Sequence, residues 1–325
     1  MSRSRKSILT VASLGFSALL LATLFLALNI RVGDIIKAVS TTNSFVLVGV
    51  LILTLANQLI SVLRWRLLSL WLKPDKLPPP WIAGARATLR GALVGQLLPP
   101  QLAIPAARWA SFKSPDSINA TFYEQLLDFL LLVAFAIAGV LLISLQPGSL
   151  MAIVILSVAA VSSVGAMPVL LRSADRAVQY LSRSKTGGRF SSKVRETLRR
   201  TARLPRNLLL IVAALSLLRL AVLCIRTIIV VATIAVLAAP SIIVLGYPLV
   251  GLAMGVPFLP SGMGVADWSL VGIIVIAGGT ASAAATASLS LRVLTFGAIA
   301  VLVATFEIVS TFMGRIGGRS EALAR

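Results

Sequence analysis

The sequence contains no histidine. That excludes imidazole acid–base catalysis and histidine-ligated metals. It has one cysteine, Cys224, set inside an apolar run, so no intramolecular disulfide can form and the redox compartment is not readable from it. Acidic residues are scarce: ten Asp and Glu stand against thirty Lys and Arg in 325 residues. No Asp-x-Asp pair occurs, so Mg²⁺-assisted phosphate chemistry lacks ligands. No cofactor motif and no metal site is expected. Charged residues make up 12% of the chain, about half of the roughly 25% usual in soluble domains.

Apolar residues take the place of the missing charge. They are 58% of the chain, and the mean hydropathy is +0.98. Apolar runs near the roughly 20 residues that a bilayer crossing needs recur from end to end. The expectation is one polytopic all-α integral membrane domain over residues 1–325, with about eight transmembrane helices. The candidate spans are 8–30, 44–63, 118–145, 150–171, 207–239, 241–259, 265–279 and 284–313. The first is longer than a signal-peptide core and ends without a small-residue cleavage pattern, so it reads as a retained span. The link Arg31–Asn43 reads as short and polar. Arg64-Trp65-Arg66 closes the second run and has the composition of a membrane–water boundary. Lys73–Pro80 is proline-rich and reads as a surface loop.

The net charge of +20 is concentrated between the apolar runs. That distribution suits cytoplasmic loops facing anionic lipid. The link 172–206 alone holds eleven Lys and Arg against Asp175 and Glu196, and part of it fits an amphipathic surface helix. Counting positive charges places both termini in the cytoplasm. The turns at Gln146–Gly148, Pro240–Ser241 and Gly278–Ser282 then face outward without a Lys or Arg; Arg31 and Lys37 are a mild exception. No aromatic-interleaved basic fold points to nucleic acid.

Two short stretches interrupt the apolar pattern at corresponding places. They are Leu97–Pro105, with Pro99 and Pro100, and Phe258–Val265, with Pro260, Ser261, Gly262 and Gly264. Proline removes a backbone donor and breaks a helix. In hydrocarbon, backbone groups freed this way must find partners in the protein or in a wet cavity. Paired interruptions in the two halves of a membrane protein point to a transporter's binding site. Residues 81–108 are therefore expected to form a proline-broken re-entrant segment, matched by the second break in an inverted-repeat-like arrangement. Gly262 and Gly264 allow positive φ, and their amides could cradle an anion where a helix begins. Asp267 falls in that helix's first turn. The first break is stiffened by prolines, so Gln96, Gln101 and Arg108 would carry ligand contacts there.

Charges also lie inside the spans. A central Arg or Asp costs about 2.5–3.5 kcal/mol on insertion scales, so each needs a partner or water. Glu124 and Asp128 are four apart and share a helix face. Arg219 and Arg226 are seven apart, nearly on one face. Arg292 and Glu307 stand about 22 Å apart along one helix axis and must each face another helix. The set reads as a polar cavity with cationic walls suited to a phosphate or other anionic head group. The competing reading is interhelical salt bridges, such as Arg219 or Arg226 with Glu124 or Asp128. Cys224 reads as packing.

These motifs resemble the lysylphosphatidylglycerol synthase/flippase transmembrane-domain family. Arg64-Trp65-Arg66 is similar to its second-span end. Gln96–Arg108 resembles its Asn-x-Leu-Pro-Gly…Gly-Gly-Asp…Arg stretch, and Glu124–Asp128 its Glu-Arg-x-x-Asp. Pro260–Asp267 resembles its Pro-Gly-Gly-x-Gly-x-x-Glu, and Arg292 the Arg of its last helix. Departures are Gln96 for Asn, Pro100 and Ala103–Ala107 for glycines and an acid, and Asp267 for Glu. The resemblance covers most of the chain and keeps the order. It implies handling of an anionic lipid or lipid-linked head group: an aminoacyl-phospholipid, a polyprenyl-phosphate sugar or a hopanoid. The expectation is a non-enzymatic, flippase-like transporter of the bacterial cytoplasmic membrane. The alternative is a lipid or glycosyl transferase, or an accessory subunit for a separately encoded glycosyltransferase or synthase. A homo-oligomer is compatible with either.

Overall fold

The computed structural model describes residues 3–72, 80–146, 149–182, 204–236, 239–255 and 259–323. These form eleven α-helices and one short 3₁₀ turn, with no strand among the described residues. The helices are α1 (Arg3–Ala27), α2 (Val32–Ser40), α3 (Ser44–Leu72), α4 (Trp81–Val94), α5 (Pro100–Phe112) and α6 (Pro115–Leu145). They continue as α7 (Ser149–Ser182), α8 (Arg206–Ile234), α9 (Ser241–Met254), α10 (Val265–Ile276) and α11 (Ala281–Leu323), with the 3₁₀ turn at Pro260–Gly262.

Among the described residues, five helices are long and apolar enough to cross a membrane: α3, α6, α7, α8 and α11. A sixth crossing arises if α1 and α2, bent by 85° at their junction, count as one. The chain is an all-α integral membrane protein, and two of the about eight expected spans are short helices. The apolar runs at 241–259 and 265–279 yield helices of 14 and 12 residues. At 1.5 Å per residue these reach only about 21 and 18 Å, short of a roughly 30 Å hydrocarbon core. Gly255 caps α9, and the turn that follows keeps the two from fusing. They form a second broken pair, matching α4 and α5 with 14 and 13 residues.

The order span, broken pair, span therefore occurs twice: α3, α4–α5, α6 and α8, α9–α10, α11. Within each pair the short helices pack on each other. Across the halves, α3 packs on α8, α4 on α11 and α9 on α6. α8 runs opposite to α3: Arg219 meets Asn57, and Arg226, further along α8, meets Thr54, earlier on α3.

Two other expectations change. The link Arg31–Asn43 is largely helical, because the Asp34 carboxylate accepts the Arg31 amide at 2.9 Å and the apolar face turns Ile35 inward. Arg64-Trp65 does not end its helix or face solvent: α3 continues to Leu72, and both side chains are fully buried within the protein. The Trp65 indole donates to the Ser117 carbonyl at 3.2 Å instead of reaching water. In the basic link, α7 runs on to Ser182. Residues 183–203, with the surface helix expected there, lie outside the described residues. So do Pro147-Gly148 and Phe258.

Two apolar clusters hold the bundle. One joins α8 to α11 through Val230, Tyr247, Leu270, Ile274 and Ala284. The other joins α3, α6, α7 and α8 through Trp65, Tyr123, Leu127, Met167 and Val212. Small residues let backbones approach in lipid, where apolar burial drives nothing between helices. Gly139 on α6 is such a position: a methyl group there would strike the Leu245 carbonyl oxygen of α9. Gly139→Ala should cost about 1–3 kcal/mol through overpacking, read as a lower unfolding temperature in detergent. An unchanged temperature would mean that α6 and α9 do not meet there.

Candidate functional site

The two breaks meet. Pro99 caps α5, Pro100 takes its first position, and the next side chain reaches across: Gln101 Nε2 donates to the Met254 carbonyl, the last residue of α9, at 3.2 Å. Prolines tolerate the first helical turn because its amides have no partner anyway. Around this junction lies a cavity of about 190 Å³. Gln96 of the first break and Ser261 and Asp267 of the second line it, with Arg219, Arg226 and Arg292. Asn57, Gln58 and Ser61 of α3, Tyr247 of α9 and Ser288 of α11 add polar wall.

A second, more apolar cavity of about 270 Å³ adjoins it. Pro100, Ile104, Arg219, Leu223, Tyr247 and Met254 border both. Gln101 and Asp128 line this second space among Phe129, Leu132, Leu220 and Leu252.

Behind the polar wall sits an ionic cluster. Arg64 holds Asp128 in a two-pronged pair at 2.7 and 3.1 Å and reaches Glu124 at 3.2 Å. Arg108 donates to Glu124 at 2.6 Å, to Thr121 at 3.1 Å and to Ser61 at 3.1 Å, with Thr88 at 3.3 Å. Arg219 donates to Asp128 at 2.6 Å and to Asn57 at 2.9 Å. Interhelical salt bridges are thus present, and they tie α3, α5, α6 and α8 together. Arg226 differs. It is buried, donates to Thr54 at 3.4 Å and is hydrogen-bonded to the Tyr247 hydroxyl. Among the described residues no carboxylate pairs with it, and its Nε has no partner.

The second break is built around Asp267. Gly262 and Gly264 have φ of +62° and +84°. The Gly264 amide donates to Asp267 at 2.9 Å, and the Gly262 amide to the Leu259 carbonyl at 3.3 Å. The amides expected to cradle an anion are therefore spent inside the turn. Besides lining the cavity with Ser261 and Asp267, this break positions Arg292 of α11, which Asp267 holds through two bonds at 3.2 and 2.9 Å.

Of the expected site residues, Gln96, Arg219, Arg226, Ser261, Asp267 and Arg292 share the polar cavity. Gln101 and Asp128 border the apolar one. Arg108 and Glu124 stand behind the wall. Pro99, Pro260, Gly262 and Gly264 shape the breaks. Glu307 lines neither space; it pairs with Arg90 at 2.8 Å and Arg86 at 3.6 Å on α4. Sequence reasoning passed over Arg64 as an anchor and missed Asn57, Ser61 and Tyr247. The signal for the first two was present: Asn57-Gln58 and Ser61 interrupt an apolar run.

No curated protein matches the chain. Residues 10–303 match the family described as Lysylphosphatidylglycerol synthase TM region. With that match over most of its length, and with paired breaks enclosing an arginine-walled cavity, the chain belongs to this family of membrane proteins related to lipid handling.

Proposed function

We propose that the protein is a flippase-like transporter for lipids with an anionic head group, acting without catalysing a reaction. The observation that carries this is the cavity between the two breaks, with buried Arg226 facing it unmatched by any acid among the described residues. A planar guanidinium suits phosphate oxygens, and an unpaired charge inside a membrane marks a substrate path. Glu124, Asp128 and Asp267 are each held by arginine, which leaves none of them free as a general base. Rocking of one span–pair–span set against the other would open the cavity to either face. The distribution of basic segments supports a location in the bacterial cytoplasmic membrane with both termini inside.

The test is lipid flipping in liposomes. Arg226→Ala should slow it about ten- to hundredfold, since a hydrogen bond to a charged group contributes about 1.5–3 kcal/mol. Arg219→Ala together with Arg226→Ala should slow it further. Unchanged flipping in the double variant, with a normal elution profile, removes both arginines from the mechanism.

A further inference from the structure

The charges around the cavity do not balance. Arg64, Arg108, Arg219, Arg226 and Arg292 face Glu124, Asp128 and Asp267, an excess of two positive charges among the described residues. Buried charge without a counterion is strongly unfavourable, so the centre is built to hold anionic charge from a ligand.

The carboxylates are also closed to any cation. Asp267 accepts four donors: Ser288 at 3.4 Å, the Gly264 amide at 2.9 Å and two arms of Arg292 at 3.2 and 2.9 Å. Asp128 takes both Arg64 prongs and Arg219. Glu124 takes Arg64, Arg108 and Ser61. An ammonium entering the cavity would find arginines and no free acid. The remaining polar wall, which includes Asn57, Gln58, Gln96 and Tyr247, is uncharged.

We infer that this site takes a hydrocarbon-linked terminal phosphate or diphosphate and rejects head groups that carry an ammonium. This rests on the transport reading and narrows its substrate. A terminal phosphate carries about 1.5–2 negative charges at neutral pH, which matches the excess. A lysyl ester of phosphatidylglycerol brings one phosphodiester charge and two ammonium groups, a net positive head. The apolar cavity sharing Ile104, Leu223 and Met254 with the polar one gives the attached hydrocarbon a place beside its phosphate. That favours a lipid over a free phosphate, which has the same head chemistry and no use for the second space.

The experiment is thermal unfolding of the purified full chain in detergent with four probes: a long-chain polyprenyl phosphate, phosphatidylglycerol, lysylphosphatidylglycerol and inorganic phosphate. The polyprenyl phosphate should bind roughly tenfold or more tighter than the lysyl lipid. Arg226→Gln, which keeps a polar contact for Thr54, should remove that preference while eluting normally. Equal or tighter binding of lysylphosphatidylglycerol overturns the inference, as does inorganic phosphate binding as well as the lipid, or a preference untouched by Arg226→Gln. Flipping of the same lipids separates the two readings. Preferred binding of the phosphate with no flipping of any lipid removes transport and keeps the site. Flipping of the lysyl lipid with preferred binding of it does the reverse.

Discussion

An Arg108→Met variant is expected to lose about 3–5 kcal/mol of stability and to leave little folded protein in the membrane. The Arg108 guanidinium is fully buried and holds Glu124 at 2.6 Å. Its removal also takes a donor from the Thr88, Thr121 and Ser61 hydroxyls, although Thr121 keeps the Ser117 carbonyl and Ser61 keeps Glu124 as acceptors. Interhelical hydrogen bonds of that kind average about 0.6 kcal/mol in a membrane. The carboxylate left with less compensation therefore decides the size of the effect. The same reasoning predicts that adding Glu124→Met restores much of the loss, since replacing both members of a buried pair by apolar groups is often neutral or stabilising. Arg64 would keep Asp128 as its partner. Thermal unfolding of the two single variants and the double variant in detergent measures this. A double variant that loses the sum of both singles would show no coupling and would sink the assignment.

The second large effect belongs to Gly264. Its φ of 84° and ψ of −60° are closed to residues with a side chain. A methyl group there would also collide with Leu20 Cβ on α1. Strain of about 1–3 kcal/mol and overpacking of about 1–3 kcal/mol together predict that Gly264→Ala costs about 2–6 kcal/mol. The damage would spread, because the Gly264 amide anchors Asp267, and Asp267 anchors Arg292. Leu20→Ala should not rescue it, since the clashing Cβ and the backbone strain both remain. Gly297, inside α11 with open space around it, is the control: Gly297→Ala should gain about 0.5–1 kcal/mol. Similar unfolding temperatures for the two glycine variants would contradict the left-handed turn.

Much of this architecture was legible before any coordinates. Interrupted apolar runs located both breaks, and the positive φ at Gly262 and Gly264 followed from residue type. The prediction that Arg292 and Glu307 face different helices holds, with Asp267 and Arg90 as their partners. Other points could not be read. Hydropathy alone does not separate two short broken helices from two spans, because 241–259 and 265–279 are apolar enough for either; the caps at Gly255 and Gly264 decided it. Arg64 beside Trp65 has the composition of a membrane boundary, yet α3 runs a further two turns and buries both. The glycine amides of the second break looked free, and the carboxylate three residues on claimed one of them.

The sequence by itself determined the solvent, the helical class, the positions of both interruptions and the excess of arginine over acid. Those follow from local composition, since the cost of placing each residue in hydrocarbon is set residue by residue. Only the tertiary structure decided that Gln101 meets Met254, that Asp128 serves both Arg64 and Arg219, and that Arg226 is left over. Such pairings join residues 64 to 153 positions apart. They depend on how each helix is rotated and how closely its neighbours approach, and linear spacing along one helix carries neither.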